Sequence, residues 1–299
     1  MTVAIETEGL TKYYGKERGV VDLDLDVLEG EVFGYLGPNG AGKTTTIRLL
    51  LDLLRPTRGT VRVLGKHPYH AGIEIRSEIG YLPGELALYD RLTGRQMLTY
   101  LSHLRQMDGL GEAPQLAEHL ELDLSRPIGD LSSGNKQKVG LVQAFMHRPR
   151  LLILDEPTSG LDPLMQQEFY RLVHGARDEG RTVFLSSHIL SEVERIADRV
   201  GIIREGRMVV VEELDTLKER APRRLDLHFS VPIPASEFED LPHVADVAVD
   251  GTVVTCRVVG SIDSLVKRAA RFEVTNIVSH EADLEELFLQ YYRGVGDVS

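Results

Sequence analysis

Gly37-Pro38-Asn39-Gly40-Ala41-Gly42-Lys43-Thr44, followed by Thr45, fits the pattern G-x-x-x-x-G-K-[ST]. Its glycines let backbone N–H groups turn inward and approach phosphate oxygens closely. A helix beginning near Lys43 would point its positive end at the same anion. The Lys43 ammonium suits β- and γ-phosphates, and the Thr44 hydroxyl suits Mg²⁺. The stretch therefore predicts a site for Mg-ATP.

The flanking sequence fits a strand–loop–helix unit. Residues 31–36 are strand-like, and Ile47, Leu50, Leu51 and Leu54 fall at helical spacing until Pro56 ends the run. Residues 151–154 form a fully apolar run that reads as a buried central strand, and residues 182–185 form another. Up to about Asp215 strand-like and helical patterns alternate, the rhythm of an α/β domain. Residues 92–148 are instead mostly helical in pattern, with Met97, Leu98, Leu101 and Leu104 on one face. They read as a helical insertion.

The apolar run at 151–154 ends in Asp155-Glu156. A buried strand that delivers a carboxylate at its C-terminal end is where Mg²⁺ is expected. Asp155 suits the metal, and Glu156 suits a general base that polarises the attacking water.

The order of motifs resembles the nucleotide-binding subunit of ABC transporters over residues 3–215. Thr11-Lys12-Tyr13-Tyr14-Gly15 looks like the family's adenine loop, with Tyr14 as the stacking residue. Base–aromatic stacking is worth about 1–3 kcal/mol in nucleic-acid complexes. Leu131-Ser132-Ser133-Gly134-Asn135-Lys136-Gln137 is similar to the family's signature, ordinarily L-S-G-G-Q. Here Ser133 replaces the first glycine and Asn135 the glutamine, while Ser132 and Gly134 remain. The serines can cap the following helix, and the same N–H groups make an anion site. The resemblance implies that Ser132, Ser133, Gly134 and Asn135 grip the γ-phosphate held by a second copy. Two ATP molecules would then lie between two ATPase subunits, most simply a homodimer. Ser159-Gly160-Leu161-Asp162 looks like the D-loop, with Asp162 at the dimer interface. Ser186-Ser187-His188 looks like the switch motif, with His188 at the γ-phosphate.

One position departs from the family. After Gly80-Tyr81-Leu82-Pro83 the family carries a glutamine, and this chain has Gly84. Glu85 carries the adjacent carboxylate and is the expected replacement near Mg²⁺.

Near residues 219–222 the pattern changes. Strand-like runs at 224–230, 244–249, 252–259 and 272–279 accompany helical runs at 262–270 and 283–292, with an Asp250-Gly251 hairpin signal. They suggest a small β-α-β-β-α-β unit. The expected architecture is α/β: residues 1–219 form a P-loop NTPase of the ABC ATPase type, with a parallel core sheet, an antiparallel β subdomain and a helical subdomain. Residues 220–299 form an α+β ferredoxin-like accessory domain. Its end resembles the tail of bacterial drug- and antibiotic-resistance exporter ATPases.

Of the 299 residues, 42% are apolar and 27% charged, enough for a real core. The net charge of −12 disfavours nucleic acid, whose phosphates draw on clustered Lys and Arg. No apolar stretch approaches the ~18 residues of a membrane span. Residues 1–10 lack the basic start and apolar core of a signal peptide. The one cysteine, Cys256, excludes an internal disulfide and reads as a small apolar strand residue in a reducing compartment. The resemblance thus implies a cytoplasmic ATPase, peripheral on the inner face of the membrane, that powers export through a separate integral membrane permease docked near residues 84–104. A non-transport ABC ATPase acting on ribosomes or DNA is the alternative. The chain has one ATPase unit where ribosome-acting relatives carry two, and no long coiled coil. A GTPase is disfavoured, because Asn135-Lys136-Gln137-Lys138 lacks the Asp that reads guanine.

Overall fold

The computed structural model describes residues 2–280. They divide into two compact units, one ending at Val211 and the other beginning at Glu212. That division falls a few residues ahead of the boundary expected at residue 220.

In chain order the first unit contains β1 (Val3–Tyr14), β2 (Glu17–Leu28), β3 (Val32–Leu36), α1 (Lys43–Leu50), β4 (Arg58–Val63), α2 (Gly72–Ser77) and β5 (Ile79–Leu82). Then come α3 (Gly94–Leu104), α4 (Ala113–His119), α5 (Ser133–Phe145), β6 (Leu151–Asp155) and α6 (Pro163–Asp178). Then follow β7 (Thr182–Ser187), α7 (Leu190–Ile196), β8 (Arg199–Arg204) and β9 (Arg207–Glu213), whose last two residues fall past the division.

Six strands form the central sheet in the order β5-β6-β7-β3-β8-β9, with β5 to β8 parallel to their neighbours. Every residue of β3 and β6 is buried, as expected of parallel strands covered on both faces. Phe33 of β3 stacks on Phe184 of β7, ring centroids 5.8 Å apart. A second, antiparallel sheet runs β2-β1-β4. Its Ile5, Leu10, Leu23 and Val63 share one core cluster with Phe33, Ile47 and Ile153. The helices α3, α4 and α5 all lie in the crossover between β5 and β6, which are direct neighbours in the sheet.

The stop of α1 differs from expectation. The helix ends at Leu50, well before Pro56. Asp52 takes a left-handed φ of 57°, while the Leu53 N–H donates to Arg48 O and the Asp52 N–H to Leu49 O. These are the paired bonds of a Schellman stop, so a backbone turn at an aspartate ends the helix ahead of the proline.

The second unit contains α8 (Leu214–Arg220), β10 (Arg223–Phe229), β11 (Val244–Asp250), β12 (Val253–Val258), α9 (Asp263–Ala269) and β13 (Val274–Ser279). Its sheet is antiparallel, in the order β11-β12-β10-β13. Gly251, at φ 60°, turns β11 into β12 at the expected Asp-Gly step. Between β10 and β11 only one 3₁₀ turn, Ala235–Glu237, stands where the β-α-β-β-α-β pattern asks for a helix. The helix expected over 283–292 lies outside the described residues. Cys256 is buried in this unit's core, and burial pushes its thiol up to about 11. Among the described residues no helix is long and apolar enough to cross a membrane.

Candidate functional site

The site sits at the carboxyl ends of three adjacent strands, β6, β7 and β3. Parallel pairing puts Leu36 beside Ser187 and Asp155 beside Ser186. The loop after β3, the carboxylates after β6 and the histidine after β7 therefore converge, as open α/β sheets place their ligands.

In the loop, Gly42 takes a φ of 111° directly before α1, and Gly40 a φ of 78°. A Cβ on Gly37 would lie 2.6 Å from Ile203 O, and one on Gly42 2.9 Å from Val20 Cγ1. Both positions need glycine for close backbone approach, and Gly42 needs it for conformation as well. Ala41 is buried, while Pro38, Asn39 and Gly40 are exposed. The Lys43 side chain is buried and its ammonium donates to Gly37 O at 2.6 Å and Pro38 O at 3.3 Å. It also lies 3.1 Å from Glu156 Oε1, so one cation faces both the loop and the expected base.

Thr44 Oγ1 donates to Asp155 Oδ2 at 2.9 Å, and Ser186 Oγ donates to Asp155 Oδ1 at 2.5 Å. Both oxygens of this buried carboxylate are thus engaged. Glu156 adopts a left-handed φ of 50°, and its N–H lies 3.2 Å from both O and Oγ of Ser186. This uncommon backbone conformation is held from outside the residue and aims its carboxylate at Lys43 and His188. His188 Nδ1 lies 2.7 Å from Glu156 Oε2.

Tyr14 is 40% exposed and its hydroxyl lies 3.4 Å from Thr45 Oγ1. It lines a cavity of about 240 Å³ together with Arg18, Gly19, the phosphate loop and Glu156. Arg18 and Gly19 were not anticipated from sequence. They come from the start of β2, which pairs with the end of β1 where Tyr14 sits.

The signature residues do not line this cavity. Ser132 caps α5 by accepting from the Asn135 N–H at 3.3 Å, and Ser132 and Ser133 are exposed. The buried Gln137 side chain donates to Pro157 O at 3.0 Å, tying α5 to the segment after Glu156. Asp162 caps α6 through the N–H groups of Leu164 and Met165. Gly84 lies against the Asp155 carboxylate: a Cβ on Gly84 would sit 3.4 Å from Asp155 Oδ2. Glu85 is exposed and makes no hydrogen bond to Thr44 or Asp155.

The arrangement is that of a phosphate-transfer site: a glycine cradle, a buried lysine, adjacent hydroxyl and carboxylate oxygens, and a carboxylate braced by a histidine. A family model described as ABC transporter matches residues 20–159. The bacitracin transport ATP-binding protein of Bacillus licheniformis is 36% identical, the match covering 98% of this chain and 99% of the relative. Its namesake from Enterococcus faecalis is also 36% identical, over 99% of this chain and 98% of the relative. A solved ATP-binding subunit of an ABC transporter is 32% identical and superposes with a TM-score of 0.66, covering 72% of this chain and 92% of that one. With these motifs in place and relatives matched end to end, this chain belongs to the ABC transporter ATP-binding proteins and is a transporter ATPase.

Proposed function

We propose that this chain hydrolyses Mg-ATP as one of two ATPase subunits and thereby drives export through a separate integral membrane permease, from the cytoplasmic face of the membrane. The observation that carries the reading is the Lys43–Glu156–His188 chain at the mouth of the phosphate loop. Lys43 would hold the β- and γ-phosphates, Glu156 would take the proton of the attacking water, and His188 would hold that carboxylate in place. Thr44 and Asp155 offer adjacent hard oxygens, the donor type Mg²⁺ takes alongside phosphate oxygens.

Dimer formation is supported by the exposed start of α5. Ser132, Ser133, Gly134 and Asn135 stand at the N-terminus of α5 and line no part of the chain's own nucleotide cavity. A second copy supplies the phosphate they would grip. Asp162, beside them in the D-loop, would sit at that interface. The permease would dock on the exposed apolar side chains Tyr89, Tyr100 and Leu104, where the two tyrosine rings meet edge to face at 6.1 Å. The relatives named for bacitracin transport make an antibiotic-class substrate the reading for that permease. The second unit's strand order, 2-3-1-4 in its own numbering, supports a ferredoxin-like accessory domain despite its reduced first helix.

The test is ATP turnover and mass together. The purified chain hydrolyses ATP with Mg²⁺ and not with EDTA. Glu156→Gln, mixed with Mg-ATP, doubles in mass by light scattering. A chain that hydrolyses without Mg²⁺, or stays monomeric with ATP bound in Glu156→Gln, defeats the proposal.

A further inference from the structure

The register of β6 with β7 ends at Asp155 and Ser186, and the backbone bond from the Glu156 N–H to Ser186 O follows it. One buried acid joins the segments that follow the two strands. Glu192, in the first turn of α7, is 8% exposed. Its Oε1 accepts from Thr158 Oγ1 at 2.7 Å, and its Oε2 accepts from Ser187 Oγ at 2.8 Å. Ser187 Oγ in turn accepts from the Ile189 N–H at 3.0 Å. Thr158 and Ser187 are buried too, 5% and 0% exposed. Tyr170 of α6 also faces this acid, whose charge contributes with burial to raising the phenol.

A buried carboxylate is costly unless its oxygens are satisfied, and here each has a hydroxyl. Those hydroxyls belong to the residue two after Glu156 and the residue one before His188. Glu192 lines no part of the nucleotide cavity. The geometry points to Glu192 as the positioning residue for hydrolysis: it clamps the segment after β6 to the end of β7 so that His188 stays within hydrogen-bond reach of Glu156. The same clamp fixes the start of the turn that runs through Gly160 to Asp162. Through Thr158 it connects the histidine to the segment expected to face the second copy. Side chains thus continue the register that the strands give up, at the point where a small misplacement of the base costs most.

This inference rests on the ATPase reading, and wild-type turnover is the arm that tests that reading alone. In the full-length chain, Glu192→Gln keeps the volume but replaces one acceptor oxygen with a donor. Glu192→Gln is expected to lower kcat at least tenfold while the Kd for ATP, measured with Mg²⁺ withheld, changes less than twofold. Thr158→Val is expected to lower kcat similarly, and Thr158→Val with Glu192→Gln to lower it no further than the worse single variant, as for residues acting through one contact. Thermal melting confirms that each variant is folded. Should Glu192→Gln prove poorly folded, Thr158→Val and Ser187→Ala carry the same kcat-against-Kd comparison. Unchanged kcat, equal losses in kcat and ATP affinity, or multiplicative losses in the double variant would each overturn the assignment. Absent wild-type turnover would instead overturn the ATPase reading.

Discussion

His188 Nδ1 and Glu156 Oε2 lie 2.7 Å apart, although 32 residues separate them in the chain. With the carboxylate ionised, Nδ1 carries the proton and donates, which leaves Nε2 for another partner. The other carboxylate oxygen faces the Lys43 ammonium at 3.1 Å. Glu156 is thereby oriented from two sides. Glu156→Gln keeps the shape and loses the base. It is expected to lower kcat by about 10²–10⁴-fold with ATP binding retained. His188→Ala leaves the base in place but unbraced, so a smaller loss is expected. Steady-state kinetics beside equilibrium ATP binding decides the matter, and a wild-type kcat in Glu156→Gln would remove Glu156 from the base role.

Position 84 is expected to control the metal more than position 85. A Cβ on Gly84 would sit in ordinary contact with Asp155, 3.4 Å from Oδ2, so a side chain added there starts beside that carboxylate. Glu85 is exposed and makes no hydrogen bond to Thr44 or Asp155. Gly84→Gln should shift the Mg²⁺ concentration for half-maximal ATPase activity, while Glu85→Ala should leave it within about twofold. The reverse pattern would return the metal-facing role to Glu85.

The contrast between these two positions shows what was legible in the sequence. Gly37 to Thr44 could be read directly, because one short segment carries the glycines, the lysine and the hydroxyl together. Asp155-Glu156 could be read as the end of an apolar run. The convergence of β6, β7 and β3 could not, because sheet order depends on which crossovers pack where. Glu192 was equally hidden. In the sequence it looks like one acid on a solvated helix, since its hydroxyl partners lie five residues before it and 34 residues away. The stop of α1 misled for a local reason: Pro56 is a conspicuous breaker, yet Asp52 accepts a left-handed turn first. The missing side chain at Gly84 was visible, but which neighbour faces Asp155 depends on how the loop after β5 turns.

A pH dependence of stability is expected from His147. Its Nε2 lies 3.1 Å from Ile79 O, and Nδ1 is buried without a partner among the described residues. Burial, with the Arg105 charge adding to it, pushes the imidazole down from 6.5 to about 4. The folded state therefore binds fewer protons than the unfolded chain between those values. The stability this group contributes is full above pH 6.5 and is lost as pH falls toward 4, amounting to about 2 kcal/mol between pH 7 and 5. His147→Gln keeps a donor for Ile79 O and cannot titrate. Urea midpoints at pH 7 and 5 should fall less for His147→Gln than for wild type. Equal falls would show that His147 takes no part.

Gly134 joins the signature to the D-loop within one chain. A Cβ there would lie 2.7 Å from Gly160 O, a backbone atom that cannot swing aside as a side-chain tip can. Gly160 itself sits at φ 75°, and Asp162 two residues on caps α6. Gly134→Ala must therefore shift either the start of α5 or the turn from Ser159 to Asp162, and such overpacking typically costs about 1–3 kcal/mol. Both segments are proposed to face the second copy, while neither Gly134 nor Gly160 lines the nucleotide cavity. The expected result is near wild-type ATP affinity for the isolated subunit, with turnover reduced at least tenfold and ATP-dependent dimerisation weakened when tested in the Glu156→Gln background. Titration calorimetry and light scattering separate these effects. Lost ATP affinity with intact dimerisation would place Gly134 in the support of its own cavity and not at the interface.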